Sequence, residues 1–93
     1  MHRRCIRAIL RQAGISCDAG DCTLAAQDLA VLLPGAVVIY NTLRYRGSTM
    51  SHAWVEYQDW CIDPTCAVNL AELGIRTAPA ILIWPRRTPY PII

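Results

Sequence analysis

The stretch MSHAWVEYQDWCIDP, residues 50–64, constrains the fold more than any other part of this 93-residue chain. Two runs rich in β-branched and aromatic residues flank Gln58-Asp59, which is the pattern of a hairpin. "MSHAWVEY" reads as one strand and "WCIDP" as the next. Side chains alternate across a strand, so Ala53, Val55 and Tyr57 form an apolar face and His52, Trp54 and Glu56 a mixed one. With Gln58-Asp59 as a two-residue loop, Trp54 stands opposite Asp63 and His52 opposite Thr65. Asp63 is then diagonal to His52 on the mixed face, at a Cβ separation of about 7 Å or less. A carboxylate can hold an imidazole across that gap. The register hangs on the loop, because Gln-Asp is not a favoured two-residue turn and a looser one reverses the parity.

The rest of the chain supplies what this hairpin packs against. Residues 3–13 carry Ile6, Ile9, Leu10 and Ala13 on one face of a helix that stops at Gly14. Residues 14–21 read as a loop. "CTLAAQDLAVLL", residues 22–33, is a strong helix former that is apolar nearly all round, and it ends at Pro34-Gly35. Such a helix is expected to be buried in the middle of the domain. "AVVIYNTLRY" predicts a strand and "RGST" a turn into the hairpin. Residues 67–73 predict a short helix ending at Gly74, and "PAILIW" either a last strand or an apolar tail on the sheet. "PRRTPYPII" is too rich in proline for regular structure. Helices come first and a mostly antiparallel sheet second, an α+β arrangement in a single domain spanning residues 1–93.

Composition narrows the function classes. At 54% hydrophobic and 17% charged, the chain has ample apolar material for a core. A net charge of +2 is too small to argue for nucleic acid. All nine basic residues are arginine, and Arg4, Arg7 and Arg11 share one helix face, which reads as a solvated face. The N-terminal "MHRRCIRAILRQAG" has no continuous apolar core of a signal peptide. The longest apolar stretch, residues 29–40, is broken by Pro34-Gly35 and is short of the about 20 residues that span a bilayer. A soluble, cytoplasmic protein is expected. Its five cysteines then read as free thiols, metal ligands or catalytic groups more than as a disulfide framework.

Of these cysteines, Cys22 has the setting of a nucleophile. It falls in the first turn of the second helix, with Asp21 as N-cap and "AGD" before it. The partial positive charge of a helix N-terminus favours thiolate over thiol. Cys5 reads instead as a small packed residue. Nucleophile, base and orienting carboxylate are the parts of an activated thiol, and Cys22, His52 and Asp63 supply one each.

"GDC" opening an apolar helix, "HAWVEY" on a strand and "W-x-x-DPT" on the next resemble the core of the transglutaminase-like cysteine peptidase superfamily, over residues 20–65. The lasso-peptide leader peptidases are similar small members. The resemblance implies a papain-like or transglutaminase-like minimal fold and amide or peptide chemistry, hydrolytic or acyl-transferring, with no cofactor. By position it implies Cys22 as nucleophile, His52 as general base and acid, and Asp63 as orienting carboxylate. The upstream oxyanion donor of such enzymes is not fixed by a motif here. Gln12 is a candidate, with the Cys22 backbone N–H as the second donor. Trp54, Glu56 and Trp60 are candidates for bordering the substrate cleft, though tryptophan is more often core.

Two alternatives stay open. Cys17 with Cys22, and Cys61 with Cys66, each separated by four residues, with His52 as a further ligand, would suit a small zinc-stabilised module. A non-catalytic binding or adaptor protein on a degenerate peptidase core is the other. The expected partner is a peptide or protein substrate, with neither nucleic acid nor membrane. A neighbouring copy is one home for the apolar C-terminal "ILIWP…YPII".

Overall fold

The computed structural model describes residues 1–15, 21–77 and 80–92. It is an α+β domain of three helices and a four-stranded antiparallel sheet: α1 Arg3–Gln12, α2 Cys22–Leu32, β1 Val37–Tyr45, β2 Ser48–Tyr57, β3 Trp60–Asp63, α3 Cys66–Ala71 and β4 Leu82–Pro85. The strands run β1-β2-β3-β4 in space, so every neighbour in the sheet is also the next strand in sequence. No helix among the described residues is long and apolar enough to cross a membrane.

Turn chemistry sets the registers. Arg46 and Gly47 both have positive φ (48° and 82°), as a primed two-residue hairpin loop requires, and Tyr45 pairs with Ser48 across it. The turn is therefore shorter than "RGST": Ser48 and Thr49 already belong to β2. Gln58 also takes a positive φ of 56°, and the ladder pairs Tyr57 with Trp60, Glu56 with Cys61 and Val55 with Ile62. Gln58-Asp59 is thus a two-residue loop despite its composition. The segment "PAILIW" contributes β4, which pairs Ile83 with Ile62 and Trp84 with Cys61. The end of β4 is fastened by Arg86 N–H donating to the Asp59 carbonyl at 2.8 Å.

Strand alternation divides the core into two layers. On one side of the sheet, Ala53, Val55, Tyr57, Ile62 and Ile83 pack against Ile6 and Leu10 of α1 and Ala26, Leu29 and Leu33 from α2. On the other, Leu43, Trp54, Cys61 and Trp84 pack against Cys66 and Leu70 of α3 and against Tyr90 in the C-terminal tail. Burial of these apolar faces is the main stabilising force, at about 25 cal/mol per Å².

Helix α2 departs from the sequence expectation. It is not buried in the middle of the domain: Leu24, Val31 and Leu32 are 58%, 84% and 53% exposed. Only Ala25, Ala26 and Leu29 are buried within it. The reason is architectural. With α3 and the tail covering the far side of the sheet, nothing among the described residues covers the outer side of α2. Arg4, Arg7 and Arg11 on α1 are all exposed, in line with a solvated face.

Candidate active site

Asp63 closes β3, is completely buried, and every acceptor position of its carboxylate is used. Oδ2 lies 2.6 Å from His52 Nε2 and accepts from the Tyr90 hydroxyl at 2.6 Å. Oδ1 accepts from the Thr65 backbone N–H at 3.0 Å and the Thr65 hydroxyl at 3.3 Å. The "DPT" sequence explains the second pair: an aspartate readily accepts from the backbone N–H two residues on. Burying a carboxylate is costly unless it is hydrogen-bonded, and four donors meet that requirement here.

His52 reaches Asp63 from β2 along the predicted diagonal. Its ring is buried beside Trp54 (centroids 5.9 Å apart) and edge-on to Tyr90 (6.0 Å). With Nε2 against a carboxylate, a neutral imidazole would carry its proton there and leave Nδ1 with a lone pair. Nδ1 is buried and has no hydrogen-bond partner among the described residues.

Cys22 begins α2 as expected. The Asp21 side chain caps the helix, accepting from Thr23 N–H at 2.8 Å and Leu24 N–H at 3.2 Å. The thiol is half-buried, and the side chain packs against the α1–α2 core layer. Cys22 and His52 together line a cavity of about 280 Å³, with Thr23, Tyr40, Asn41, Thr42 and Ser51. No hydrogen bond joins the two, since Nδ1 has no partner. The imidazole belongs to the mixed face of β2 with Trp54, whereas α2 packs on the apolar face. Helix α2 settles there because its buried stripe matches Ala53, Val55 and Tyr57. Cys22, at the start of α2, and His52 are therefore brought together only as lining of the same cavity.

The remaining candidates fall elsewhere. Gln12 is exposed at the end of α1 and is not among the residues lining the Cys22–His52 cavity. Trp54 and Glu56 line a different cavity, of about 510 Å³, on the α3 side of the sheet. There Glu56 pairs with Arg86 at 3.3 Å. Trp60 lies on the opposite side, its indole N–H donating to the Met1 carbonyl at 2.7 Å and its ring under the Arg3 guanidinium. It packs against the α1–α2 layer and is not among the residues lining the Cys22–His52 cavity. Among the described residues no three His, Cys, Asp or Glu side chains gather as a metal site. Cys61 and Cys66 sit in the α3-side layer and Cys22 in the other, so the described members of the four-thiolate set are apart. Cys17 lies outside the described residues.

Two contributors escaped sequence reasoning. Thr65 was legible only as the residue opposite His52, not as a double donor to Asp63. Tyr90 lies in the proline-rich tail, 27 residues after Asp63, with no periodicity to place it. Its one signal is general: a buried tyrosine hydroxyl needs a partner. Compared with family models, curated proteins and solved structures, the chain matches none.

Proposed function

We propose that this protein is a cysteine-dependent hydrolase or acyl transferase acting on a peptide or amide bond of a peptide or protein substrate. Cys22 is the nucleophile, His52 the general base and acid, and Asp63 the orienting carboxylate. The observation that carries the reading is the buried His52 Nε2–Asp63 Oδ2 contact of 2.6 Å, with Nδ1 left without a partner among the described residues. Half of the chain also resembles the transglutaminase-like cysteine peptidases, which this reading extends to a papain-like minimal fold. A soluble, cytoplasmic setting suits a working thiol.

In this mechanism His52 Nδ1 takes the Cys22 proton, and the thiolate sulfur bonds to the substrate carbonyl carbon. The tetrahedral oxyanion is met by the Cys22 backbone N–H, which the Asp21 cap leaves unused. Collapse breaks the carbon–nitrogen bond, and the departing amine takes the proton from Nδ1. Water or an amine then attacks the thioester, gives its proton to Nδ1, and the thiol re-forms. The first step requires Cys22 Sγ and Nδ1 to close the gap between them, and catalytic hydrogen bonds often tighten only on substrate binding.

The absence of a Cys22–His52 hydrogen bond favours a second reading, a non-catalytic binding protein on a peptidase-like core. Reaction with p-nitrophenyl acetate separates the two. The catalytic reading expects a rapid burst of nitrophenolate and an acetyl group mapped to Cys22, both lost in His52→Ala. No acetyl on Cys22, or the same acetylation without His52, leaves the binding reading standing.

A further inference from the structure

Among the described residues, Tyr90 is the donor to the Asp63 carboxylate that lies farthest from it in sequence, 27 residues on. It lies between Pro89 and Pro91, beyond the last strand, yet it is buried. Its ring packs on Trp54 and Trp84, with centroids 5.4 and 5.0 Å away, and stands edge-on to His52. This aromatic cage aims the hydroxyl at Oδ2, the same oxygen that His52 Nε2 approaches. Two donors therefore compete for one carboxylate oxygen.

We infer that Tyr90 is a positioning residue for the His52–Asp63 pair: its hydroxyl shares Oδ2 and so sets how strongly Asp63 holds the proton on His52. The inference rests on the catalytic reading above. With Tyr90 donating, part of the carboxylate's charge is already neutralised, and the imidazolium formed when Nδ1 takes the thiol proton is less strongly held. Proton return to the leaving amine is correspondingly easier. The titratable groups that face the hydroxyl are Asp63 on β3, His52 on β2 and Cys66 on α3. Burial, then the Asp63 charge, pushes the Tyr90 phenol up, so it stays protonated and donating throughout the neutral range. The C-terminal tail, by this account, completes the site.

Tyr90→Phe removes the hydroxyl and keeps the ring in its cage. Two readouts follow in the folded variant: the pH profile of iodoacetamide alkylation at Cys22, and the proton resonance of His52 Nε2–H. Loss of the hydroxyl should move the acidic limb of the profile to higher pH by about half to one unit, a part of the roughly one to two units that a hydrogen bond to a charged group is worth. The Nε2–H resonance should move further downfield as Oδ2 bonds His52 alone. A merely structural role would lower the melting temperature and leave both unmoved. If the wild-type limb depends on His52 and Tyr90→Phe reproduces it with an unchanged resonance, Tyr90 does not position the pair and the catalytic reading survives. If wild-type alkylation shows no dependence on His52, both fall together.

Discussion

His52 Nε2 and Asp63 Oδ2 meet at 2.6 Å with both side chains fully buried, although they stand on different strands, 11 residues apart. The contact is diagonal across the β2–β3 hairpin, and the two-residue loop at Gln58-Asp59 makes it possible. In the proposed mechanism Asp63 fixes which imidazole nitrogen carries the proton, and thereby which one is left to accept another.

Asp63→Asn tests that assignment. An amide nitrogen at the Oδ2 position would face the His52 N–H donor, so the imidazole must switch its proton to Nδ1. The nitrogen needed as base is then blocked. Alkylation of Cys22 should fall toward the rate of an unassisted thiol, and hydrolysis of an active substrate by about 10²–10⁴-fold, the usual worth of general-base catalysis. Nitrogen chemical shifts of the His52 ring should report the change of tautomer. Unchanged shifts with unchanged reactivity would refute the orienting role.

Alkaline pH should weaken the fold in a specific way. Burial, followed by the nearby Glu56 carboxylate, pushes the Cys61 thiol from its ordinary 9.0 to about 11, against opposing effects of Arg86 and a hydrogen bond with Trp54. The native state thus keeps a proton that the unfolded chain gives up near pH 9. The resulting stability is fully present below pH 9 and is lost as pH rises through about 11. The raised Tyr90 phenol adds in the same direction. Urea midpoints should decline from pH 9 upward, and less steeply in Cys61→Ala than in the wild type. Equal slopes would show that the Cys61 proton plays no part.

Gln58 holds a left-handed φ of 56°, which costs a residue with a side chain about 1–2 kcal/mol. Gln58→Gly relieves that strain and loses some of the gain to the freer unfolded chain. A net stabilisation of about 0.5–1 kcal/mol should appear as a higher urea midpoint. A lower midpoint would mean that the Gln58 side chain contributes to folding in some other way.

The hairpin was the legible part of this sequence because alternation has a two-residue period and the His52, Trp54, Glu56 set is visible on inspection. The Asp21–Cys22 helix start was legible for a similar reason, since N-caps are local. Layer assignment was not. A helix as apolar as residues 22–33 reads as central, yet Val31 lies 84% exposed, because burial depends on which elements arrive on the far side of the sheet. The same non-local choice put α2 on the apolar face of β2, so Cys22 meets His52 only around a shared cavity. Tyr90 illustrates the limit most sharply: its bond to Asp63 joins a tail without periodicity to a strand end, and only the folded chain brings them together.

The most direct test of the account is the alkylation rate of Cys22 by iodoacetamide at neutral pH, with exposed Cys5 as the reference thiol in the same molecule. Activated by His52, Cys22 should react about tenfold or more faster than Cys5, and His52→Ala should erase that advantage. A Cys22 rate no greater than that of Cys5, unchanged by His52→Ala, would contradict the thiol–imidazole pair.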